Sequence, residues 1–542
     1  MRPSQSKTDT IHGWVKPASA QTTELSAALG LLRHPAFVFM KDNSVCAVTD
    51  PEDIMFGEQP DMDWLPLAGI IPPCLPENLG DRSFCDELGL GYPYLGGSMA
   101  KGISSVAMAR SLGEAGMLGC FGAAGLPLAT VESAVVQLLE FNFPFACNLI
   151  HSPHEPDLEQ ALAELYIRKG VRLIEASAFL NLTLPLVRYR LHGIHRAADG
   201  SIATPNRIIA KVSREELAER FFSPPPEKLL KVLLAEGTIT ELQAELAGQI
   251  PMAQEVTAEA DSGGHTDNRP SLALFPTIKS LAARMQQKYG YTVKLRVGLG
   301  GGIGTPASAA AAFVMGADYI MTGSVNQACI ESGTSDAVRA MLAETRQADV
   351  IMAPAADMFE MGVNVQVLKR GTMFPMRAQK LYELYRSCAS LEEIPVAERE
   401  KLEKTFFLAP LEQIWQQTRS FFLQRDPGQV ERAEREPKHR MALVFRWYLG
   451  QAAHWAKDGV PNRAIDYQVW CGPAMGAFNE WVAGSFMEEP ARRDVATVAF
   501  NILFGAAMLI RANSLCTQGV AMPDESLTIE PIEINNIKEY LR

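Results

Sequence analysis

The sequence predicts an α/β chain built around a parallel sheet closed into a (β/α)8 barrel, with a mixed N-terminal segment and a helical C-terminal region. Two observations predict it. Across residues 90–330, short apolar runs rich in β-branched or small residues alternate with segments of helical periodicity. The runs start near Tyr92, Met117, Phe145, Val171, Arg207, Ala253, Val293 and Ala317. Eight such runs with no reversal of strand order favour a closed barrel over an open doubly wound sheet. The two longest gaps carry insertions: Leu186–Asn206 reads as a polar loop or hairpin, and Pro226–Pro251 as two short amphipathic helices.

Around the barrel (91–334) lie a mixed segment (1–90) and a helical one (335–542). In the first, Phe37–Ala47 reads as a β-ribbon turning at Asp42-Asn43, and Pro72-Pro73 marks a linker-like stretch. In the last, Arg377–Ser387, Leu411–Leu423 and Lys438–Ala456 repeat apolar residues at helical spacing. The role expected of 335–542 is a substrate lid or a docking surface.

The 542 residues hold 50 Lys+Arg against 62 Asp+Glu, a formal charge of −12, and 47% are hydrophobic. This is a globular composition, which excludes disordered, collagenous and coiled-coil chains. The acidity argues against nucleic-acid binding, which needs a basic face. None of the nine cysteines forms a C-x-x-C pair, which suits reduced thiols in the cytoplasm and not a disulfide framework or a structural zinc site. Met1–Thr10 is polar and lacks the apolar stretch of a signal peptide. The longest uncharged apolar run, Val495–Ile510, spans about 24 Å as a helix, short of the about 30 Å of a bilayer core. It reads as a core helix, buried within the chain or at a homodimer interface, and no membrane is expected.

In such barrels the chemistry sits at the C-terminal ends of the strands. After the seventh strand comes Gly298-Leu299-Gly300-Gly301-Gly302-Ile303-Gly304, where Thr305 can cap a helix that has Pro306 at its first position. After the eighth come Gly323 and Ser324. Glycine amides and helix N-termini bind phosphate, and two such loops on neighbouring strands predict a phosphorylated ligand. After the sixth comes Glu259-Ala260-Asp261-Ser262-Gly263-Gly264-His265, where the paired glycines leave room for a flat ring beside an imidazole suited to proton transfer. Small residues Gly96, Gly97 and Ser98, followed by Met99, end the first strand, and Asn148 ends the third. Lys211 lies in an apolar run on the fifth, where an unpaired charge is costly; it must meet an anion, either of the ligand or of the barrel mouth. His151 and His154 follow the third strand without an evident third ligand, so no metal is expected.

These stretches resemble the FMN barrels of nitronate monooxygenases and flavin-dependent enoyl-acyl carrier protein reductases. More narrowly, Glu259–Pro270, Phe374–Tyr385 and Pro437–Gly450 resemble the PfaD-type trans-acting enoyl reductases of polyunsaturated fatty acid and polyketide synthases. The likeness runs from about 35 to 525. Compared with the Glu-Ala-Gly-Gly-His of the shorter enzymes, this chain inserts Asp261-Ser262 before the glycines, a change the PfaD-type pattern shares. The resemblance implies an oxidoreductase in which FMN, reduced by NADPH or NADH, passes hydride to a 2-enoyl thioester on an acyl carrier domain. It implies FMN binding by Gly96, Gly97, Ser98, Met99, Asn148, Lys211, Glu259, Gly263, Gly264, Gly300, Gly301, Gly302, Gly323 and Ser324. His265 is the implied catalytic residue. Two clusters, Lys369/Arg370/Arg377/Lys380 and Lys438/Arg440/Arg446, are candidate faces for an acidic carrier. The rival readings are a nitronate monooxygenase-like oxidase and a non-catalytic synthase scaffold.

Overall fold

The computed structural model describes residues 12–16, 22–42, 44–152 and 155–540; the polar start, Asn43 and His154 lie outside them. The barrel strands are β1 (Tyr94–Gly96), β2 (Leu118–Phe121), β3 (Phe145–Ile150), β4 (Leu173–Ser177), β5 (Arg207–Val212), β6 (Glu255–Glu259), β7 (Arg296–Gly300) and β8 (Ile320–Thr322). All pair in parallel, and β8 closes on β1. Every strand starts within three residues of its expected position.

Side chains alternate across a strand, so each strand feeds two layers. On β5, Ile208, Ala210 and Val212 pack outward under the helices, in one large core with Val256, Val297 and Ile320. Ile209 joins an inner core with Leu95, Leu118, Cys120, Leu173 and Tyr319. The same alternation turns Arg207 and Lys211 inward, one at each end of the barrel. At the lower end, fully buried Arg296 donates to Asp81 at 2.8 Å, to Glu255 at 3.0 Å and to Glu87, while Arg207 joins Glu255 and Glu87. A buried guanidinium needs this many acceptors to offset its desolvation. The network plugs that end and leaves the C-terminal mouth as the open one.

The insertion after β4 is partly helical: Leu184–Leu191 is a helix with no exposed residue, and only His195–Arg196 with Ile202–Ala203 forms the expected hairpin. The second insertion holds the two expected helices, Glu227–Ala235 and Glu241–Ala247. The N-terminal segment is a five-stranded antiparallel sheet. Within it Ala36–Lys41 pairs with Ser44–Val48, and Asp42 takes a φ of +49° at the turn.

Beyond the barrel, Val350–Pro354 and Asn364–Leu368 form a hairpin whose second strand pairs antiparallel with Gly264–His265. The chain after the barrel therefore grips the loop after β6. Helices Phe374–Ser387, Leu411–Arg425 and Pro437–Asp458 share a separate core that includes Leu381, Trp415, Leu443 and Tyr448. Helix Val495–Thr517 has 23 residues, seven more than the apolar run that announced it, because Arg511 and the residues beyond continue it. It is the one helix among the described residues long and apolar enough to cross a membrane, and it is mostly buried inside the protein. A Cβ on its Gly505 would meet Pro306 Cγ at 2.6 Å, so glycine there lets it lie against helix Pro306–Val314. Its Arg511 donates to the carbonyls of Ala28, Leu31 and His34, tying the chain's two ends together.

Candidate active site

A cavity of about 330 Å³ opens at the C-terminal mouth of the barrel. Residues from all eight strands or the loops that follow them reach it, and Asp357, Arg446, Leu449, Gly450 and Trp470 roof it. Of the fourteen residues expected to hold a cofactor, thirteen line this cavity. The exception is Gly96, which is fully covered at the end of β1. A Cβ there would meet Leu112 Cδ1 at 2.3 Å, so its glycine serves strand-to-helix packing.

The glycines divide by what surrounds them. Added Cβ atoms at Gly263 and Gly301 would strike the backbone of Cys471 at 2.9 Å and of Ala260 at 2.6 Å. Those two are required by close chain approach. At Gly302 (φ +76°) and Gly323 an added Cβ meets nothing within 4 Å. Their backbone faces open space, on neighbouring strands β7 and β8. Thr305 caps helix Pro306–Val314 as expected, accepting from Ser308 N at 3.2 Å. Ser324 Oγ accepts from Gly472 N at 2.9 Å, which leaves its own proton to donate.

The anion required by Lys211 is supplied by the protein. Its Nζ lies 3.4 Å from Glu175 on β4 and 3.4 Å from Glu259 on β6, the two strands that flank β5. Burial alone would lower the Lys211 pKa, but the two carboxylates outweigh it and hold the ammonium above its ordinary value. Glu175 is wholly buried and also accepts from Ser98 N at 3.0 Å and from Ser98 Oγ. Burial raises its pKa, and Lys211 and the Ser98 bonds more than reverse this, so it stays ionised. Asn148 donates to Ser177 Oγ at 2.8 Å and braces the same corner. Glu175 is not among the residues expected from sequence, although the argument applied to Lys211 holds for it: a charge inside the apolar run Leu173-Ile174-Glu175-Ala176.

His265 enters the cavity from the short strand that pairs with Val365 and Gln366. The inserted Asp261-Ser262 is stitched to that partner strand, with Gln366 Nε2 donating to Asp261 Oδ1 at 2.7 Å and to the Ser262 carbonyl at 2.8 Å. His265 Nε2 lies 3.2 Å from Asp357 Oδ1. Burial pulls the imidazole pKa down, and the Asp357 carboxylate overrides it, with Glu259 adding and Lys211 opposing; the result is above the ordinary histidine value. Asp357, in the turn between the two hairpin strands, carries no signal in the sequence because 92 residues separate it from His265.

His151 Nδ1 bonds Glu159 at 2.9 Å, and no group of three or more metal-ligating side chains occurs among the described residues. The two basic clusters are largely spent inside the molecule. Arg377 pairs with Asp466, Lys380 with Glu398, Arg440 with Glu412 and Arg446 with Glu360, while Lys438 donates to the carbonyls of Tyr385 and Cys388. Lys369 and Arg370 stay exposed, with Arg370 at 3.6 Å from Asp349 and 3.7 Å from Glu344.

A solved relative has a similar fold. The enoyl reductase domain of MlnA, from the macrolactin cluster of Bacillus amyloliquefaciens, superposes with a TM-score of 0.77 at 41% identity, covering 81% of this chain and 99% of that domain. The chain belongs to this enoyl reductase family. One of the polyunsaturated fatty acid synthase proteins of Thraustochytrium sp. is 50% identical over 457 residues, 83% of this chain but 30% of that protein. Polyketide biosynthesis protein PksE of Bacillus subtilis is 44% identical over 437 residues, 80% of this chain and 57% of that one. This enoyl reductase homologue therefore spans between about a third and three-fifths of those two relatives. Its residues 388–467 also match the family described as the inserted helical domain of acyl-carrier-protein S-malonyltransferase.

Proposed function

We propose that the protein is a flavin-dependent, trans-acting enoyl reductase that reduces 2-enoyl thioesters carried by acyl carrier domains of a polyunsaturated fatty acid or polyketide synthase. The observation that carries the reading is the meeting of His265, seated on Asp357, with two open glycine backbones in one cavity, in a chain so close to the MlnA domain.

FMN fits the residues present. Gly302 and Gly323 offer unhindered backbone at the two strand ends where this fold takes phosphate, and Ser324 keeps a hydroxyl proton for it. Ser98, Met99 and Gly264 line the space beside them, where a flat ring would lie. The chemistry such a cofactor supplies is hydride transfer from NADPH or NADH to the β-carbon of the enoyl thioester. The chain's own task is to orient the two partners, to exclude water beneath the roof, and to supply the proton. His265 does the last: with Nε2 on Asp357, its Nδ1 proton goes to the α-carbon, or polarises the thioester carbonyl that stabilises the charge there. Lys211 holds Glu175 and Glu259 in place at the floor. The barrel region 91–334 supplies the flavin site, and 335–542 roofs it and docks the carrier; the match of 388–467 to a domain of an enzyme named for the acyl carrier protein supports that assignment.

The deciding experiment is anaerobic mixing of the reduced holoenzyme with an enoyl-carrier thioester, beside oxygen uptake with a nitronate. Reoxidation by the thioester is expected; oxygen uptake with nitronate and none with the thioester would make the protein an oxidase instead. Two variants test the parts. Gly302→Leu fills the open space and forces a side chain onto a φ of +76°, so flavin bound per chain should fall while far-ultraviolet circular dichroism stays unchanged. Wild-type flavin affinity in that variant contradicts the phosphate assignment. Asp357→Asn removes the charge that raises the His265 pKa. An imidazolium donor is present below its pKa and lost as pH rises through it, so kcat/KM should fall on the alkaline side, and this limb should move to lower pH in the variant. An unmoved limb rules out the coupling.

A further inference from the structure

We propose that Lys101 anchors a phosphate ester on the molecule that enters the cavity across from His265, an inference that rests on the reading above. Four Lys or Arg side chains line the cavity: Lys101, Lys211, Arg425 and Arg446. Three are neutralised: Lys211 by Glu175 and Glu259, Arg425 by Glu155 at 2.9 Å, and Arg446 by Glu360 at 3.3 Å. Among the described residues, no carboxylate lies within 4 Å of the Lys101 ammonium. Its one hydrogen bond goes to the Gly450 carbonyl at 3.0 Å, on the roof helix Pro437–Asp458. An ammonium carries three protons, so two remain for a ligand.

The surroundings are built to receive one. Lys101 holds a left-handed φ of +60°, costly for a non-glycine residue and fixed by its own N–H bond to the Ala124 carbonyl at 2.7 Å. Its stem lies over Gly125, whose added Cβ would sit 3.5 Å from Lys101 Cγ. Opposite, Gly450 has nothing within 4 Å of an added Cβ, so the roof helix leaves open space at that residue. Two more bases, His454 and Lys457, follow on the roof helix, with Asp458 as the one opposing charge acting on Lys101. Burial first, then Lys457, pushes Lys101 down to about 7. A phosphate ester would pair this half-buried ammonium and hold its proton.

Position separates this anchor from the flavin phosphate. The barrel order β6-β7-β8-β1 puts Lys101 three strands from His265, with the open glycines of β7 and β8 between them. Lys101 reaches up to the roof helix at Gly450. The occupant is therefore the outer part of a reactant. Two reactants carry such a phosphate: the pantetheine arm of the carrier and the dinucleotide donor.

The test uses the holoenzyme, Lys101→Met and Lys101→Arg. Calorimetric binding of 4′-phosphopantetheine is compared with pantetheine, and of NADPH with reduced nicotinamide riboside. In the wild type the phosphorylated member of one pair should bind at least about tenfold tighter than its partner, over and above any contrast kept by Lys101→Met, and Lys101→Arg should restore it. Loss of the pantetheine contrast assigns the anchor to the carrier arm; loss of the nicotinamide contrast assigns it to the donor. Flavin content should be unchanged. Both contrasts intact in Lys101→Met, or loss of flavin from that variant, overturns the proposal. Because these measurements need no turnover, a chain that fails to reduce enoyl thioesters yet loses the contrast sinks only the activity reading.

Discussion

His265→Ala should retain bound flavin and lose about 10²–10⁴-fold in turnover, the usual contribution of a placed proton donor. The backbone of His265 is held by strand pairing with Val365 and its neighbour Gly264 by pairing with Gln366, not by the ring, so deleting the imidazole leaves the loop in place. The glycines at β7 and β8 lie on other strands and should bind flavin as before. The loss should appear in anaerobic reoxidation of the reduced enzyme by the enoyl thioester, and not in its reduction by NADPH. Full turnover in this variant removes His265 from the chemistry. Adding Asp357→Asn to His265→Ala should slow the enzyme no further, because Asp357 acts through the imidazole it faces.

The barrel was legible because its strands are apolar on both faces and the helices between them keep their period. The core records this directly: Ile208 packs outward and Ile209 inward, from adjacent positions of one run. The glycine and histidine loops were legible from composition, but not which glycine meets ligand. Gly96 and Gly302 look alike in sequence, yet one lies under Leu112 and the other opens on the cavity. The need of Lys211 for an anion was legible; the identity of that anion was not. Its partners come from β4 and β6, and only closure of the sheet makes them neighbours. The same limit hid Asp357, and it made the basic residues of the C-terminal helices look free when most face carboxylates on other elements.

Glu175→Ala is expected to be the most destabilising single change in the site, by about 3–5 kcal/mol, the usual result of removing one partner from a buried ion pair. Four donors, Lys211 Nζ, Ser98 N, Ser98 Oγ and Ser177 Oγ, would lose their shared acceptor, which is itself wholly buried. Glu259 alone cannot replace it, since it faces Lys211 from the other side and stays partly exposed. Removing both charges, as Glu175→Leu with Lys211→Met, should cost less than Glu175→Ala alone, because no buried cation is then left half-paired. The pH dependence has a fixed sign. Glu175 has a depressed folded-state pKa, so its contribution is present above the ordinary carboxylate range and is lost as pH falls through the folded value. Wild-type stability should therefore drop more steeply on acidification than that of Glu175→Ala. Denaturant midpoints of the holoenzymes across pH read both effects, and a single variant more stable than the double one would mean that the Lys211–Glu175 contact contributes little to holding the mouth of the barrel.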